Sequence, residues 1–217
     1  MYLPKHFEQT RIDVLHQLVR EHPLGTLVTL ADNRLEANHI PFLLQPDPPP
    51  YGVLQGHIAR ANPLWRQLVS DARALVIFQG PQTFVSPSWY ASKGETGKVV
   101  PTWNYAVVHA HGQLRVMDDP RWVRAHVEAL TNRHEDRRPA PWKVSDAPPD
   151  YIQTMVRAVV GLEISIEQLQ GKWKVSQNRP AQDRAGVVDG LKREGTDAAL
   201  AMASLIEQSE PAAPRKP

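Results

Sequence analysis

The chain has 217 residues, no cysteine, and a formal net charge of +2 from 25 basic and 23 acidic side chains. That length suits one domain with a real core, and the lack of thiols excludes disulfides, thiolate metal sites and a cysteine nucleophile. So small a net charge announces neither a nucleic-acid surface nor a membrane surface.

The opening MYLPKHFEQTR has no apolar stretch of leader length, and no run approaches the roughly 18 apolar residues of a membrane helix. The expectation is a cytoplasmic protein with no membrane partner. Residues 9–22 carry Ile12, Leu15, Leu18 and Val19 at helical spacing, and Pro23 closes the helix. Residues 24–30 read as a strand, ADNR as a turn, and residues 35–44 as the return strand of a hairpin. The prolines of QPDPPPYG lack amide donors and fix the backbone, so this is a loop.

A strand over 52–58 precedes a short helix over 62–70. Residues 74–78 form a buried strand, and 83–85 a further short one. One long strand is expected over 103–116. Asp119 and Pro120 then suit the cap and first turn of a helix whose inner face is Trp122, Val123, His126, Val127 and Leu130. A loop over 135–149, a helix near 151–157 and a strand over 159–166 follow. Residues 183–208 make one or two helices, interrupted near Gly190 and Gly195.

About six strands with short connections and three or four helices predict a mainly β fold with peripheral helices. Its antiparallel sheet closes on itself in a Greek-key-like manner, since closure removes exposed edges. A doubly wound parallel sheet needs a helix after nearly every strand, and none is available. The expected organisation is one domain over 1–195, with a helical extension and a disordered tail over 196–217.

The stretch GHIARANPLW, residues 56–65, carries the first chemical signal. Asn62 suits a helix cap and Pro63 the first helical position, which brings free amides close to Arg60. Amides, the positive end of a helix and a guanidinium fork together make an anion seat, and phosphate suits it best. An arginine at a strand end is as readily solvated, and Asn-Pro opens many ordinary helices, so these residues alone leave both readings open.

Three further stretches mix aromatics with amides, hydroxyls and cations. GPQTFVSPSWYASK presents Ser88 and Trp89, VVPTWNYAVVHAHG presents Thr102, Trp103 and Asn104, and GKWKVSQNR presents Lys174, Gln177 and Arg179. A flat heteroaromatic ligand bearing a phosphate needs this mixture: flat side chains for its ring, amides for its edge and cations for its tail.

These four stretches, in this order and spacing, resemble the PaiB family of FMN-binding negative transcriptional regulators. The resemblance runs from the MYLPKHF start to about Leu191. It implies a split β-barrel of the kind found in pyridoxamine-phosphate oxidases and flavin reductase-like proteins, a homodimer, and FMN in a groove between subunits. Where such oxidases carry a Ser-Arg-Lys phosphate clamp, this chain has Ala59, Arg60 and Ala61, so only the arginine matches. By the same analogy Asn62 helps hold the phosphate, and Asn38 and His39 face the isoalloxazine. So do Thr102, Trp103 and Asn104, while Lys174, Gln177 and Arg179 reach in from the partner chain.

Other motifs fall away. GETGKVV echoes a phosphate-binding loop but lacks the first glycine in register and the hydroxyl residue after Lys98. No GxGxxG or GxSxG occurs. His109 and His111 share a strand face, yet no third metal ligand is apparent, and hydrogen-bonded histidines are the expectation. No helix-turn-helix with a basic recognition helix is present, so promoter DNA as a partner, direct or through another protein, comes from the resemblance alone. A flavin-dependent oxidoreductase and a haem-binding split barrel are the alternative functions.

Overall fold

The computed structural model describes residues 1–31, 33–68 and 72–211. Its elements, in chain order, are β1 (Glu8–Gln9), α1 (Ile12–Glu21), β2 (Leu24–Ala31), β3 (Arg34–Pro41), β4 (Leu43–Gln45), β5 (Val53–Ala59) and α2 (Leu64–Gln67). There follow β6 (Arg73–Val85), α3 (Lys93–Thr96), β7 (Thr102–Met117), α4 (Pro120–Glu135) and α5 (Pro149–Arg157). The chain ends with β8 (Val159–Lys174), α6 (Ala181–Glu194) and α7 (Asp197–Gln208). The strands run in the order β3-β2-β6-β7-β8-β5-β4, with β1 paired to β8, and every pairing with a defined register is antiparallel.

The chain divides into two compact units, and the long strands β6, β7 and β8 contribute residues to both. The first unit comprises Ile12–Phe78 and His109–Leu169. Here α1 buries Leu15, Leu18 and Val19, the face its spacing predicts. The β2–β3 hairpin pairs Leu24 with Pro41 through to Ala31 with Arg34, and Asn33 takes a left-handed φ of 59° at the turn. Asp32, within the same predicted turn, lies outside the described residues, as do Val69 and Ser70 of the predicted 62–70 helix and 212–217 of the predicted tail.

The predicted strand over 35–44 is two strands. β3 pairs β2, β4 pairs β5, and the change of partner falls at Phe42, whose amide donates to the Pro23 carbonyl at 2.8 Å. Alternation of apolar residues continues through that change, which is why the sequence hides it. Conversely, 74–78 and 83–85 belong to one strand, β6. Pro81 sits beyond Ile77, the last residue paired to β2, so its missing amide leaves no β2 partner unmet. β5 pairs β8 from Val53–Ser165 to Ala59–Val159. Phe42 and Phe78 meet edge to face, with ring centroids 5.9 Å apart, in the core of this unit.

The second unit comprises Met1–Arg11, Gln79–Val108 and the chain from Gln170 onward. The two-residue strand β1, unpredicted, pairs Glu8 with Lys172 and Gln9 with Gly171. The predicted break at Gly195 is present: its φ is +69° and it closes α6. Gly190 is no break. A side chain there would lie 2.4 Å from the Trp89 indole, and one at Gly186 2.0 Å from the Trp89 carbonyl. The two glycines, four apart on α6, are the seat against which Trp89 packs. Leu191, Met202, Ala203 and Ile206 are buried on α6 and α7, and Arg184 donates to the Ile206 carbonyl at 2.8 Å.

Candidate functional site

In the first unit the corner after β5 differs from the expected anion seat. α2 has four residues rather than nine, and its first amide, that of Leu64, already donates to the Asn62 side chain at 3.0 Å. The Arg60 guanidinium donates to both Asp118 carboxylate oxygens, at 3.1 and 2.6 Å, and to the carbonyls of Arg157 at 2.7 Å and Val159 at 3.1 Å. It also lies 5.5 Å from the Trp65 ring centroid, and the Trp65 indole donates to the Arg60 carbonyl at 3.0 Å.

The fork therefore ties the end of β5 to the residue after β7 and to the α5–β8 junction. Its donors are engaged within the chain, whereas the sequence reading expects them to hold a phosphate. Pairing raises the Arg60 pKa and lowers that of Asp118, in each case chiefly through their shared hydrogen bonds. Ala59 and Ala61 flank the corner as exposed residues without polar side chains. Asn62 does meet Asn38, its amide donating at 2.9 Å. His39 lies on the other face of β3 from Asn38, as the strand's alternation requires.

Because the Arg60–Asp118 pair is a third or more exposed, at 34% and 44%, its removal is expected to be mild. Arg60→Ala should cost about 1 kcal/mol, lowering the melting temperature by roughly 2–4 °C in a calorimetric scan, with FMN uptake retained. A variant melting like wild type but failing to take up FMN would restore the phosphate role to Arg60.

A second polar group in this unit escaped sequence reading. His57 Nδ1 and His126 Nε2 lie 3.1 Å apart, and Trp122 stacks on the His126 ring at 5.3 Å and 18°. Gly161 makes room for that indole, since a side chain there would approach it to 2.2 Å. Burial lowers the pKa of both histidines, that of His126 to about 4, and His126 Nδ1 is buried without a partner. His109 and His111 have ring centroids 6.3 Å apart, and among the described residues no three metal-ligating side chains converge.

The second unit gathers the remaining predicted residues. Lys174 donates to the Thr102 hydroxyl. Asn104 is buried and donates to Ser176 Oγ at 2.9 Å, and Ser176 holds a left-handed φ of 62°. Gln177 is used up by its own turn: its amide donates to the Trp173 carbonyl, and its oxygen accepts from the Val175 amide. Arg179 lies 4.7 Å over the Tyr90 ring. Trp103 is 55% exposed and meets Phe84, 45% exposed, edge to face at 6.3 Å. Ser88 is exposed beside Trp89, with Lys93 Nζ 3.5 Å from its hydroxyl.

Sequence reading missed Tyr2 in this group; Lys172 and Tyr105 stand within the motifs it singled out, without a role of their own. Lys172 donates to the Tyr2 carbonyl at 3.1 Å and lies 5.7 and 5.4 Å from the Tyr2 and Tyr105 ring centroids. The signal available for Lys172 was the Lys-Trp-Lys alternation, which puts both ammonium groups on one side of β8. Burial, with repulsion from Lys172 and Arg179, lowers the Lys174 pKa against an opposing pull from Tyr105.

The strand order, antiparallel pairing and peripheral helices define a split β-barrel. Among solved structures the chain is similar to the FAD and heme binding protein from Mycobacterium smegmatis. The TM-score is 0.58 and the identity 21%, over 77% of this chain and 73% of that one, a likeness of fold. Residues 1–168 match the model of the family described as "Putative FMN-binding domain", and the chain belongs to that family, whose cofactor is FMN.

Its relatives are similar over nearly their whole length. An uncharacterized protein of Emericella nidulans is 36% identical over 96% of this chain and 97% of its own. The Bacillus subtilis protease synthase and sporulation protein PAI 2 is 31% identical over 95% and 97%. The resemblance to the PaiB family thus extends well beyond the four motifs. No helix among the described residues is long and apolar enough to cross a membrane.

Proposed function

We propose that this chain is a PaiB-type regulatory flavoprotein. It is a cytoplasmic homodimer that binds FMN and acts as a negative regulator of transcription, on promoter DNA directly or through another protein. Thr102, Trp103, Lys174 and Arg179 contact the flavin, and Ser88 lies in reach of the same ligand. The observation that carries the reading is the exposed Trp103–Phe84 pair on strands that otherwise alternate into the core. Large aromatic surface left in water at the start of a strand suits a planar ring or a second copy of the chain.

The residues present fit FMN in kind: aromatic surface for the ring, and hydroxyl and cationic groups for the phosphate end. Bound flavin supplies a redox-responsive ring, and the chain's part is to hold and orient it. The regulatory role is supported by 31% identity to PAI 2 along nearly the full length.

The test begins with the visible absorption spectrum of the protein as isolated and after FMN is added and excess removed. Flavin bands retained by the protein, and FMN released on denaturation, are expected. Trp103→Ala is expected to shift those bands or to lower the sedimentation coefficient. A colourless protein after FMN addition would overturn the reading. Steady NAD(P)H consumption with a small-molecule acceptor would replace the regulator with a flavin-dependent oxidoreductase.

A further inference from the structure

The second unit holds three cations that have no ion-pair partner among the described residues. Lys172 is only 9% exposed, yet its ammonium is met by one carbonyl and two aromatic rings. Lys174, two residues further along the same side of β8, has the Thr102 hydroxyl as its partner. Arg179, just past the turn that follows β8, rests on the Tyr90 ring. Among the described residues no carboxylate forms an ion pair with any of the three. Asp183, the acid this unit buries, gives both oxygens to Ser92, accepting from its amide at 2.9 Å and its hydroxyl at 2.8 Å.

Keeping several positive groups together and partly out of water is costly unless something negative joins them. The depressed Lys174 pKa has those two causes, burial and its cationic neighbours. A dianion entering the group would offset both. Two ammonium point charges and a guanidinium fork, with one hydroxyl donor, are the side chains that phosphate oxygens select. At the Arg60 corner, by contrast, the guanidinium already has Asp118 and two carbonyls as partners.

We infer that Lys172, Lys174 and Arg179, with the Thr102 hydroxyl, form the phosphate seat of this protein, receiving the terminal phosphate of a planar aromatic ligand. The inference rests on the FMN reading above and assigns the phosphate end of that ligand to residues other than Arg60.

The experiment compares FMN with riboflavin, which lacks the phosphate, by flavin-fluorescence titration of the full chain. It uses wild type, Lys174→Met, Arg179→Gln and Arg60→Ala, with near-ultraviolet circular dichroism confirming that each is folded. Wild type should prefer FMN at least tenfold, the preference shrinking as salt rises. Lys174→Met and Arg179→Gln should bring it towards one, and Arg60→Ala should leave it intact.

Wild-type preference that survives both Lys174→Met and Arg179→Gln overturns the seat and leaves the FMN reading standing. So does equal wild-type affinity for the two compounds, which keeps the flavin but denies any grip on the phosphate. A folded wild type that binds neither compound overturns the FMN reading and the seat with it.

Discussion

Acidification from pH 7 to pH 4 is expected to strip about 3 kcal/mol from the folding stability through His126 alone. Its pKa falls from 6.5 to about 4, and each tenfold loss of proton affinity is worth about 1.4 kcal/mol. The folded value lies below the unfolded one, so the contribution is intact above pH 6.5. It is lost as pH falls towards 4, because the unfolded chain takes up a proton that the folded one refuses. His57, lowered by burial as well, acts in the same direction. Urea unfolding across this pH range should show stability flat above pH 7 and falling steadily below 6.5. His126→Gln, whose amide can still meet His57, should remove about one proton's worth of that slope. Equal slopes in variant and wild type would show that the pair does not control acid sensitivity.

Gly112→Ala is expected to be the most damaging of the glycine substitutions in the sheet, costing about 3 kcal/mol, at the upper end of ordinary overpacking. A Cβ there would lie 2.1 Å from the Ser165 carbonyl oxygen and 2.9 Å from its carbon, both backbone atoms of β8. Ser165 is also paired to Val53 on β5, so it cannot retreat without straining a second ladder. Gly190→Ala makes the instructive contrast. Its obstacle is the side chain of a half-buried Trp89, which can swing aside, so a smaller loss is expected. Chemical denaturation of both variants checks the ranking, and a Gly112→Ala protein as stable as Gly190→Ala would refute it.

The sequence shows its local rules well and its distant contacts poorly. Asp119 and Pro120 open α4 as their chemistry dictates, with the Asp119 carboxylate accepting from the Arg121 amide at 2.9 Å. The hairpin of β2 and β3 follows from a turn between two β-rich runs. Arg60 is legible as a special corner, but its partner Asp118 is 58 positions away. It stands beside an aspartate whose capping role already accounts for an acid at that point, so nothing local marks it. Lys172 and Lys174 stand out in their motif as cations, but only the fold shows that they turn towards Tyr105 and Thr102. Where β3 gives way to β4, the apolar pattern never breaks, because both strands feed cores and only their partners differ.

The pairing of β1 with the far end of β8 has a consequence for biosynthesis. The partners of Glu8 and Gln9, Lys172 and Gly171, are made more than 160 residues after them. At roughly 5–20 residues per second that delay is on the order of ten to thirty seconds. During that time β1 has no partner, and the residues assigned to the phosphate do not yet exist. The nascent protein can fold around β2 to β5 only in part, since β5 itself awaits β8. Ligand competence therefore waits until residue 179 has been made, and a message truncated before codon 179 yields a chain unable to acquire it.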